Sequence, residues 1–216
     1  MEDREQLLRF IREHKLVAII RGVGKKYILD TAEAISNGGI KCLEITIDHS
    51  SVESIEETFQ MISMVTEKFG DKLKIGAGTV LTVGEVVKAA EAGAKYIISP
   101  NTNVEVIKQT VKEGCISMPG AFTPSEIEEA YEAGADLVKI FPAGLLGTEY
   151  VKALHGPLGH IPLVAVGGIN PKNCRDFLDA GCVGLGIGGN LARLDLIKKG
   201  LFDEIAEISR SFSIQI

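Results

Sequence analysis

Two charged residues interrupt apolar stretches of this chain, and their types suggest chemistry on a carbonyl compound. Lys139 lies within the stretch 137–141, and Glu44 lies within the stretch 42–45. Burial disfavours the charged ammonium and lowers the pKa of a lysine, which supplies the free amine that a nucleophile needs. A carboxylate near such an amine can move protons while an imine forms. From position alone two structural explanations stay open: Lys139 extends to solvent, or it pairs with a carboxylate.

Glycine-rich turns follow two other apolar stretches, and such turns can bind anions through backbone amides. The segment 166–171 reads Val-Gly-Gly-Ile-Asn-Pro, and the segment 186–190 reads Gly-Ile-Gly-Gly-Asn. Glycines let the backbone approach a ligand closely, and helix N-termini favour negative charge. Ordinary tight turns are the alternative. We predict a phosphate site at Gly167, Gly168, Gly188 and Gly189.

Two more polar residues follow apolar stretches directly. Arg21 comes after the first stretch, where its planar guanidinium could hold a carboxylate. Thr79 ends the segment 76–79, Gly-Ala-Gly-Thr, and its hydroxyl could act beside the backbone amides of that turn. Asp48 and His49 follow the second stretch, and we interpret them as loop residues.

Eight short apolar runs alternate with helical patterns along the chain. The runs cover 16–20, 41–47, 73–78, 95–99, 115–120, 137–141, 162–167 and 183–188, and the helical patterns include 52–69, 83–92, 103–113, 124–133, 148–154 and 171–180. Strands that alternate with helices indicate βαβ units and a parallel sheet. Eight units predict a (β/α)8 barrel of the TIM type. An open doubly wound sheet is the alternative, but no Gly-x-Gly-x-x-Gly motif with a later acidic residue opens the chain.

The ends of the helices can also be predicted. Glycines at Gly38-Gly39, Gly93, Gly134 and Gly181 each follow a helical pattern and predict left-handed helix stops. A short amphipathic helix with Leu7, Leu8, Phe10 and Ile11 precedes the first strand, and we expect it to cap the lower end of the barrel. No linker rich in Pro, Gly or Ser divides the chain, so we predict one barrel domain over residues 1–216.

The barrel prediction bears on the two charged residues. Functional groups of such barrels lie at the carboxyl ends of the strands, and side-chain layers in the lumen draw on alternate strands. Glu44 falls on the second predicted strand and Lys139 on the sixth, so both can face the lumen in the same or adjacent layers. Two charged residues in a small lumen seldom serve packing, and we therefore favour catalysis over a structural ion pair.

Composition limits the partners of the protein. The chain has 216 residues, 24 of them glycine, and its 29 acidic and 23 basic residues give a net charge of −6. This balance argues against a nucleic-acid partner, and no apolar run approaches the length of a membrane helix. The four cysteines show no CxxC spacing, and the four histidines form no HExxH motif. We predict reduced thiols, a cytoplasmic location, and no metal or other cofactor.

Six motifs together carry a family resemblance. They are Leu43-Glu44-Ile45-Thr46, Gly76-Ala77-Gly78-Thr79-Val80, Ile98-Ser99-Pro100, Met118-Pro119-Gly120, Lys139-Ile140-Phe141-Pro142-Ala143 and Val166-Gly167-Gly168-Ile169. With these motifs the chain resembles the class I 2-keto-3-deoxy-6-phosphogluconate (KDPG) aldolases, also described as 4-hydroxy-2-oxoglutarate (KHG) aldolases. The resemblance extends from about residue 16 to residue 191.

The resemblance implies roles for the matching residues. Lys139 matches the Schiff-base lysine, Glu44 the general acid/base, and Thr79 a residue that binds the pyruvyl carboxylate. The matches to positions that line the pocket are Pro100 and Phe141, and the matches to the phosphate site are Gly167, Gly168, Gly188 and Gly189. The resemblance also implies a metal-independent homotrimer with a small-molecule 2-keto acid as substrate.

Two positions depart from the family pattern. Many members have an arginine at the fourth position after the glutamate, where it contacts substrate, and this chain has Asp48 there. Arg21 resembles an alternative carboxylate anchor of other members, and we expect it to replace that arginine. Many members have serine in the phosphate loop where this chain has Asn190, whose amide can still donate a hydrogen bond.

We therefore predict a lyase that forms a Schiff base and cleaves a 2-keto-4-hydroxy acid reversibly. The predicted reactions are KDPG to pyruvate and glyceraldehyde 3-phosphate, KHG to pyruvate and glyoxylate, or both. A different substrate, 2-dehydro-3-deoxy-6-phosphogalactonate (KDPGal), fits the same chemistry. A sugar-phosphate isomerase or epimerase, with Glu44 as base and no imine, is a second hypothesis. A barrel that binds phosphometabolites without catalysis is a third.

Overall fold

Short parallel strands alternate with helices and form a single sheet that curves into a barrel. A computed structural model describes residues 4–70 and 72–216. The strands are β1 Leu16–Ile20, β2 Cys42–Thr46, β3 Lys74–Gly78, β4 Tyr96–Ile98, β5 Ile116–Met118, β6 Gly120–Ala121, β7 Val138–Ile140, β8 Leu163–Val166 and β9 Gly184–Ile187. Their order in the sheet is β5-β4-β3-β2-β1-β9-β8-β7-β6. The predicted (β/α)8 barrel is confirmed, and the open doubly wound sheet is not observed.

Strands β5 and β6 are the two halves of the fifth predicted strand, which Pro119 interrupts. A proline has no N–H to donate to a sheet, and the pairing of β4 with this strand ends at Met118, directly before the proline. The barrel closes across the interruption because the N–H of Leu137 donates to Ser117 O at 3.2 Å and the N–H of Lys139 donates to Pro119 O at 2.9 Å. The sequence-based interpretation of 115–120 as one continuous strand was wrong only in this detail.

Ten helices occur in the described part of the chain. They are α1 Arg4–His14, α2 Ile28–Asn37, α3 Val52–Phe69, α4 Val83–Glu91, α5 Val104–Lys112, α6 Pro124–Glu132, α7 Ala143–Leu158, α8 Cys174–Asp179, α9 Leu194–Ile197 and α10 Phe202–Ser213. Within residues 4–70 and 72–216, none of these helices combines the length and hydropathy that a bilayer crossing requires. The sequence analysis assigned no helix to the regions of α2, α9 and α10.

Side-chain caps and glycines explain where several helices begin and end. Thr82 and Thr123 each form a capping box with the glutamate three residues later, which satisfies free amides in the first turn of α4 and α6. The predicted left-handed stops are confirmed at positions whose φ lies between +97° and +111°, namely Gly39, Gly93, Gly134 and Gly181. Helix α7 begins five residues before the predicted start and changes direction at Gly147, whose φ of 75° is not helical.

Alternate residues of β1 and β2 belong to two separate apolar clusters. Ala18 and Leu43 belong to the cluster between the strands and the outer helices. Their neighbours Val17 and Cys42 belong to a second cluster, which fills the lumen of the barrel. This alternation is the period of two expected for a strand that is covered on both faces.

Helix α1 covers the lower end of the barrel, where the strands begin. Leu7 and Ile11 are buried within the lumen cluster, and Leu8 and Phe10 pack against it. Arg4 holds the start of the helix in place because its guanidinium donates to Asp136 at 2.8 Å. The prediction of a capping helix is confirmed, and the lumen opens into a cavity at the opposite end, where the strands finish.

Candidate functional site

The predicted site residues line one cavity of about 610 Å³ at the carboxyl ends of the strands. This is the end of a (β/α)8 barrel where ligands bind. The cavity brings together all eleven of the residues singled out from the sequence, which are Arg21, Glu44, Thr79, Pro100, Lys139, Phe141, Gly167, Gly168, Gly188, Gly189 and Asn190. They come from seven different strands and the turns that follow them, so the closed barrel is what makes them neighbours.

Lys139 lies in the middle of β7 and extends into this cavity from a position that is only 6% exposed. Its neighbours Val138 and Ile140 face the helices, which directs the lysine to the lumen. Its Nζ lies 4.8 Å from the centre of the Phe141 ring. Burial lowers the pKa of Lys139 below its usual value; the negative charge of Glu44 opposes this shift, and the positive charge of Arg21 adds to it. The amine is therefore more often uncharged than an ordinary lysine.

Glu44 lies in the middle of β2 and is only 2% exposed. Its Oε2 is buried and has no hydrogen-bond partner within residues 4–70 and 72–216. Burial raises the pKa of Glu44, and the positive charges of Lys139 and Arg21 oppose that shift. An unpaired carboxyl oxygen at the wall of a cavity is available to a ligand, and a raised pKa favours the protonated form that can donate.

Arg21 and Thr79 form one side of the rim of the cavity. An Arg21 guanidinium N–H donates to Thr79 Oγ1 at 3.1 Å, so the ends of β1 and β3 are held together. Thr79 has a φ of 58°, in the left-handed region that β-branched residues rarely adopt. Such strain is typical of residues held in place at functional sites. The guanidinium and the hydroxyl together could hold a carboxylate.

The glycine turns after β8 and β9 form another part of the cavity wall, where the β9 turn lies next to the end of β1. Gly167 and Gly168 have φ values of 91° and 78°, which only glycine adopts without strain. The side chain of Asn190 connects the two turns because its Nδ2 donates to Ile169 O at 2.7 Å. This amide nitrogen carries a second hydrogen, so the bond leaves one donor for a ligand. Glycine turns of this kind expose backbone N–H groups that can bind a phosphate.

Asp48 and His49 do not line this cavity. The carboxylate of Asp48 accepts a hydrogen bond from the N–H of Ser50 at 2.9 Å, and this contact lowers its pKa. His49 contacts Glu85, with 2.9 Å between its Nε2 and Oε1 of the glutamate. Their sequence-based interpretation as loop residues agrees with these local contacts.

Sequence reasoning missed four residues that also line the cavity, namely Ile19, Val166, Ile169 and Gly186. Ile19 and Val166 gave no separate signal, because apolar strand residues look alike in sequence whether they face the lumen or the helices, and Ile169 is an apolar residue in the turn after β8. Alternation along β1 and β8, counted back from Arg21 and Gly168, would have placed Ile19 and Val166 on the lumen side.

Comparison with known proteins shows the family. The amino-acid sequence matches the family model described as KDPG and KHG aldolase over residues 8–208. The chain belongs to the KDPG/KHG aldolase family. It is 38% identical to the 2-dehydro-3-deoxy-6-phosphogalactonate aldolase of Escherichia coli K12. The alignment covers 179 residues, 82% of this chain and 84% of that protein. It is 30% identical to the KHG/KDPG aldolase of Escherichia coli K12. That alignment covers 187 residues, 86% of this chain and 84% of that protein.

Solved structures of KDPG/KHG aldolases show the same fold. A structure described as native KDPGal matches with a TM-score of 0.81 at 34% identity, over 93% of this chain and 96% of that one. A KDPG aldolase from Legionella pneumophila matches with a TM-score of 0.81 at 28% identity, over 92% and 93% of the two chains. In that structure, pyruvate is captured as a covalent carbinolamine intermediate. The predictions of the family and of aldolase activity, which is a lyase activity, are confirmed; the roles of single residues stay predictions.

The opposing charges around Lys139 give a test of the cavity that does not depend on turnover. Cyanate reacts with neutral amines, so the rate of Lys139 carbamylation rises with pH through the pKa of this lysine. Glu44→Gln removes a charge that raises this pKa, so the rise should move to lower pH. Arg21→Gln removes a charge that lowers it, so the rise should move to higher pH. Peptide mass spectrometry of samples labelled between pH 6 and 11 measures both shifts, each of roughly half a pH unit or more.

The exposed Lys172 lies outside the cavity, so its carbamylation in the same samples provides the internal reference for reagent activity. Shifts of Lys139 in the same direction in both variants would contradict the electrostatic account.

Proposed function

We propose that the protein cleaves a 2-keto-4-hydroxy acid reversibly to pyruvate and an aldehyde, through an imine on Lys139. The observation that carries this proposal is the presence of a buried lysine of lowered pKa and a buried glutamate of raised pKa on the walls of one cavity. Carbonyl chemistry needs a free amine and a proton donor near neutral pH, and these are the forms that burial favours. Membership of the KDPG/KHG aldolase family supports the same reaction.

The first half of the reaction joins the substrate to the enzyme. The Lys139 amine adds to the C2 carbonyl carbon, and a proton shift from nitrogen to oxygen gives a neutral carbinolamine. Glu44 donates its proton, relayed by a water molecule, to the carbinolamine hydroxyl, which leaves as water. The products of this step are a protonated imine on Lys139 and an ionised Glu44.

The second half breaks the carbon–carbon bond. The Glu44 carboxylate takes the proton of the C4 hydroxyl, the C3–C4 bond breaks, and its electron pair moves into the imine to form an enamine. The aldehyde leaves. The protonated Glu44 then returns its proton to C3, and water hydrolyses the resulting pyruvyl imine to pyruvate. The proton released in hydrolysis returns to Glu44, so the lysine and the glutamate regain their starting forms.

The remaining residues would orient the substrate. Arg21 and Thr79 would hold the pyruvyl carboxylate through the guanidinium, the hydroxyl and nearby amides. Phe141 would pack against the imine, since its ring already lies 4.8 Å from the Lys139 Nζ. Pro100 would line the wall beside the substrate. Such positioning matters because the C3–C4 bond must align with the imine π-system before it can break.

We propose KDPG as the substrate, with glyceraldehyde 3-phosphate as the aldehyde product. The two glycine turns support a phosphate at the far end of the substrate, with contacts from Gly167, Gly168, Gly188, Gly189 and Asn190. KHG, which carries a carboxylate instead of a phosphate and gives glyoxylate, would make less use of these turns.

KDPGal is a second candidate substrate, and a specific observation favours it. The KDPGal aldolase of Escherichia coli K12 is 38% identical to this chain, and the KHG/KDPG aldolase of the same organism is 30% identical. KDPGal differs from KDPG only in the configuration at C4 and yields the same two products. The chemistry proposed for Lys139 and Glu44 is therefore the same for both substrates.

Assembly and location form part of the proposal. The family resemblance supports a homotrimer, and exposed apolar side chains such as Phe122 and Leu145 supply surface of the kind that assembly buries. Light scattering should then give three times the 23.2 kDa mass of one chain, and a monomer at micromolar concentration would contradict the trimer. The four cysteines are buried free thiols, which supports a reducing, cytoplasmic location.

Borohydride trapping tests the imine directly. Pyruvate with borohydride should attach irreversibly to Lys139, and peptide mass spectrometry should find the adduct on this lysine alone. Glu44→Gln should fold normally and lose turnover by roughly a hundredfold or more, because the proton transfers lose their carrier. An adduct on another lysine, or none, would rule out the mechanism, and an isomerase that uses no imine would give none. Near-normal turnover of Glu44→Gln would show that Glu44 is only a charge partner of Lys139 and carries no proton in the reaction.

Kinetics across the three substrates tests the choice among them. We expect kcat/KM for KDPG or KDPGal to exceed that for KHG by roughly tenfold or more, because only the first two place a phosphate in the glycine turns. Gly188→Asp, which puts a negative charge in this turn, should reduce the preference by raising KM for the phosphorylated substrates more than for KHG. A higher kcat/KM for KHG would contradict the proposed phosphate site.

A further inference from the structure

Tyr96 reaches across the lumen to the peptide that joins Leu43 to Glu44. It is the first residue of β4, it is fully buried, and its hydroxyl donates to Leu43 O at 2.6 Å. The same hydroxyl lies 3.3 Å from Lys74 O, at the start of β3. A hydroxyl has one proton, so the shorter bond to Leu43 is the principal one. The side chain therefore connects β4 to β2 across the strand between them.

Two glycines of β3 make this crossing possible. Gly76 pairs in register with both Glu44 on β2 and Tyr96 on β4. A Cβ at Gly76 would overlap the Tyr96 ring, and a Cβ at Gly78 would overlap the carboxyl group of Glu44. The tyrosine ring and the glutamate side chain thus lie over the same strand, at lumen positions two residues apart. The ring lies on the lower side, one lumen layer beneath the Glu44 carboxyl group.

We propose that Tyr96 is a positioning residue for Glu44, which it holds from below with its ring and from behind through the bond to the Leu43 carbonyl. This proposal rests on the acid/base role of Glu44 in the proposed function. The ring keeps water from the lower side of the carboxyl group, and the hydroxyl fixes the backbone from which the glutamate extends. Tyr96 does not line the cavity, so it acts on the reaction only through Glu44.

The groups around Glu44 make its titration a readout of position. The charged groups that face it are Lys139 from β7 and Arg21 from the end of β1. Within the described residues, Glu44 also interacts with Tyr96, which in turn interacts with Cys42 on the same strand as Glu44. Burial raises the pKa of the tyrosine well above its usual value and that of Cys42 to about 12, so both stay neutral where Glu44 titrates. Changes at Tyr96 therefore alter the solvation and placement of the carboxyl group without altering the charges around it.

Three variants separate positioning from stability. Tyr96→Leu removes ring and hydroxyl, and Tyr96→Phe removes only the hydroxyl. Ile97→Ala is the matched control, because this buried residue is next in the same strand and faces the helices instead of the lumen. The Glu44 carboxyl resonance in protein labelled with 13C-glutamate, assigned by its loss in Glu44→Gln, reports the pKa of Glu44 in each variant. Steady-state kinetics reports kcat and KM.

For Tyr96→Leu we expect the pKa of Glu44 to fall by about one unit, since water reaches the carboxyl group, and kcat to fall by roughly 10–100-fold with KM within threefold. Tyr96→Phe should restore part of this loss and leave kcat roughly three- to tenfold below the native value, with a shifted Glu44 resonance, because the ring remains but the hydrogen bond to Leu43 O is lost. Ile97→Ala should lower the melting temperature and leave both the Glu44 resonance and kcat unchanged. A Glu44 titration in both Tyr96 variants that matches the Ile97→Ala control would overturn the proposal.

A second pair of variants covers the case in which Tyr96→Leu does not fold. Gly78→Ala inserts a methyl group where the Glu44 carboxyl lies, and Gly84→Ala inserts one in α4 where nothing lies within 4 Å. Gly78→Ala should shift the Glu44 resonance and lower kcat, whereas Gly84→Ala should change neither. If Tyr96→Leu does not fold, Tyr96→Phe tests the positioning role. A native Glu44 carboxyl resonance together with a native kcat in Tyr96→Phe contradicts that role. The NMR titration of Glu44 does not depend on catalytic turnover. A failed borohydride trap would therefore reject the proposed function, whereas the titration would still show whether Tyr96 positions Glu44.

Discussion

The cost of burying charge in an apolar lumen is the constraint on which the site depends. Lys139 and Glu44 lie above a lumen cluster of aliphatic and aromatic side chains, closed below by α1. An ionised group in such surroundings costs several kcal/mol unless it is fully paired, so the lumen favours the neutral amine and the protonated carboxyl. Those are the reactive forms for imine chemistry. Arg21 lies at the exposed rim, where it keeps its hydration and still biases the amine towards its neutral form.

The small volume of the lumen is the second constraint, and the glycines of β3 make room in it for the side chains of neighbouring strands. An eight-stranded barrel leaves just enough interior for side chains to fill. Glu44 and Tyr96 come from the strands on either side of β3. A side chain at Gly76 would collide with Tyr96, and one at Gly78 would collide with Glu44. The segment 76–79 therefore has two roles. Its glycines admit the neighbouring side chains, and Thr79 at its end contacts Arg21 at the rim.

The sequence predicted the barrel because fully covered parallel strands are continuous apolar runs, and it predicted Lys139 and Glu44 because a charge in such a run is conspicuous. The break at Pro119 was missed because a proline inside an apolar run does not show which ladder it interrupts. Tyr96 was missed for a different reason. An aromatic residue in an apolar strand has the same pattern whether it faces the helices or the lumen, and its reach to Leu43 depends on the register of three strands. Positions that follow from composition along one strand were predictable, whereas contacts between strands were not.

The two ends of the proposed substrate would meet chemically different groups, and this difference fixes its direction in the cavity. A planar carboxylate suits the forked guanidinium of Arg21, whereas a tetrahedral phosphate suits converging backbone amides, as the glycine turns of β8 and β9 can offer. Backbone amides supply positive potential without formal charge, so an acidic protein with a net charge of −6 can still bind an anion locally. A substrate bound in the reverse direction would exchange these partners and bring the wrong carbon to Lys139. The asymmetry of the two proposed anion sites would therefore bring C2, the one ketone carbon of the substrate, to the Lys139 amine.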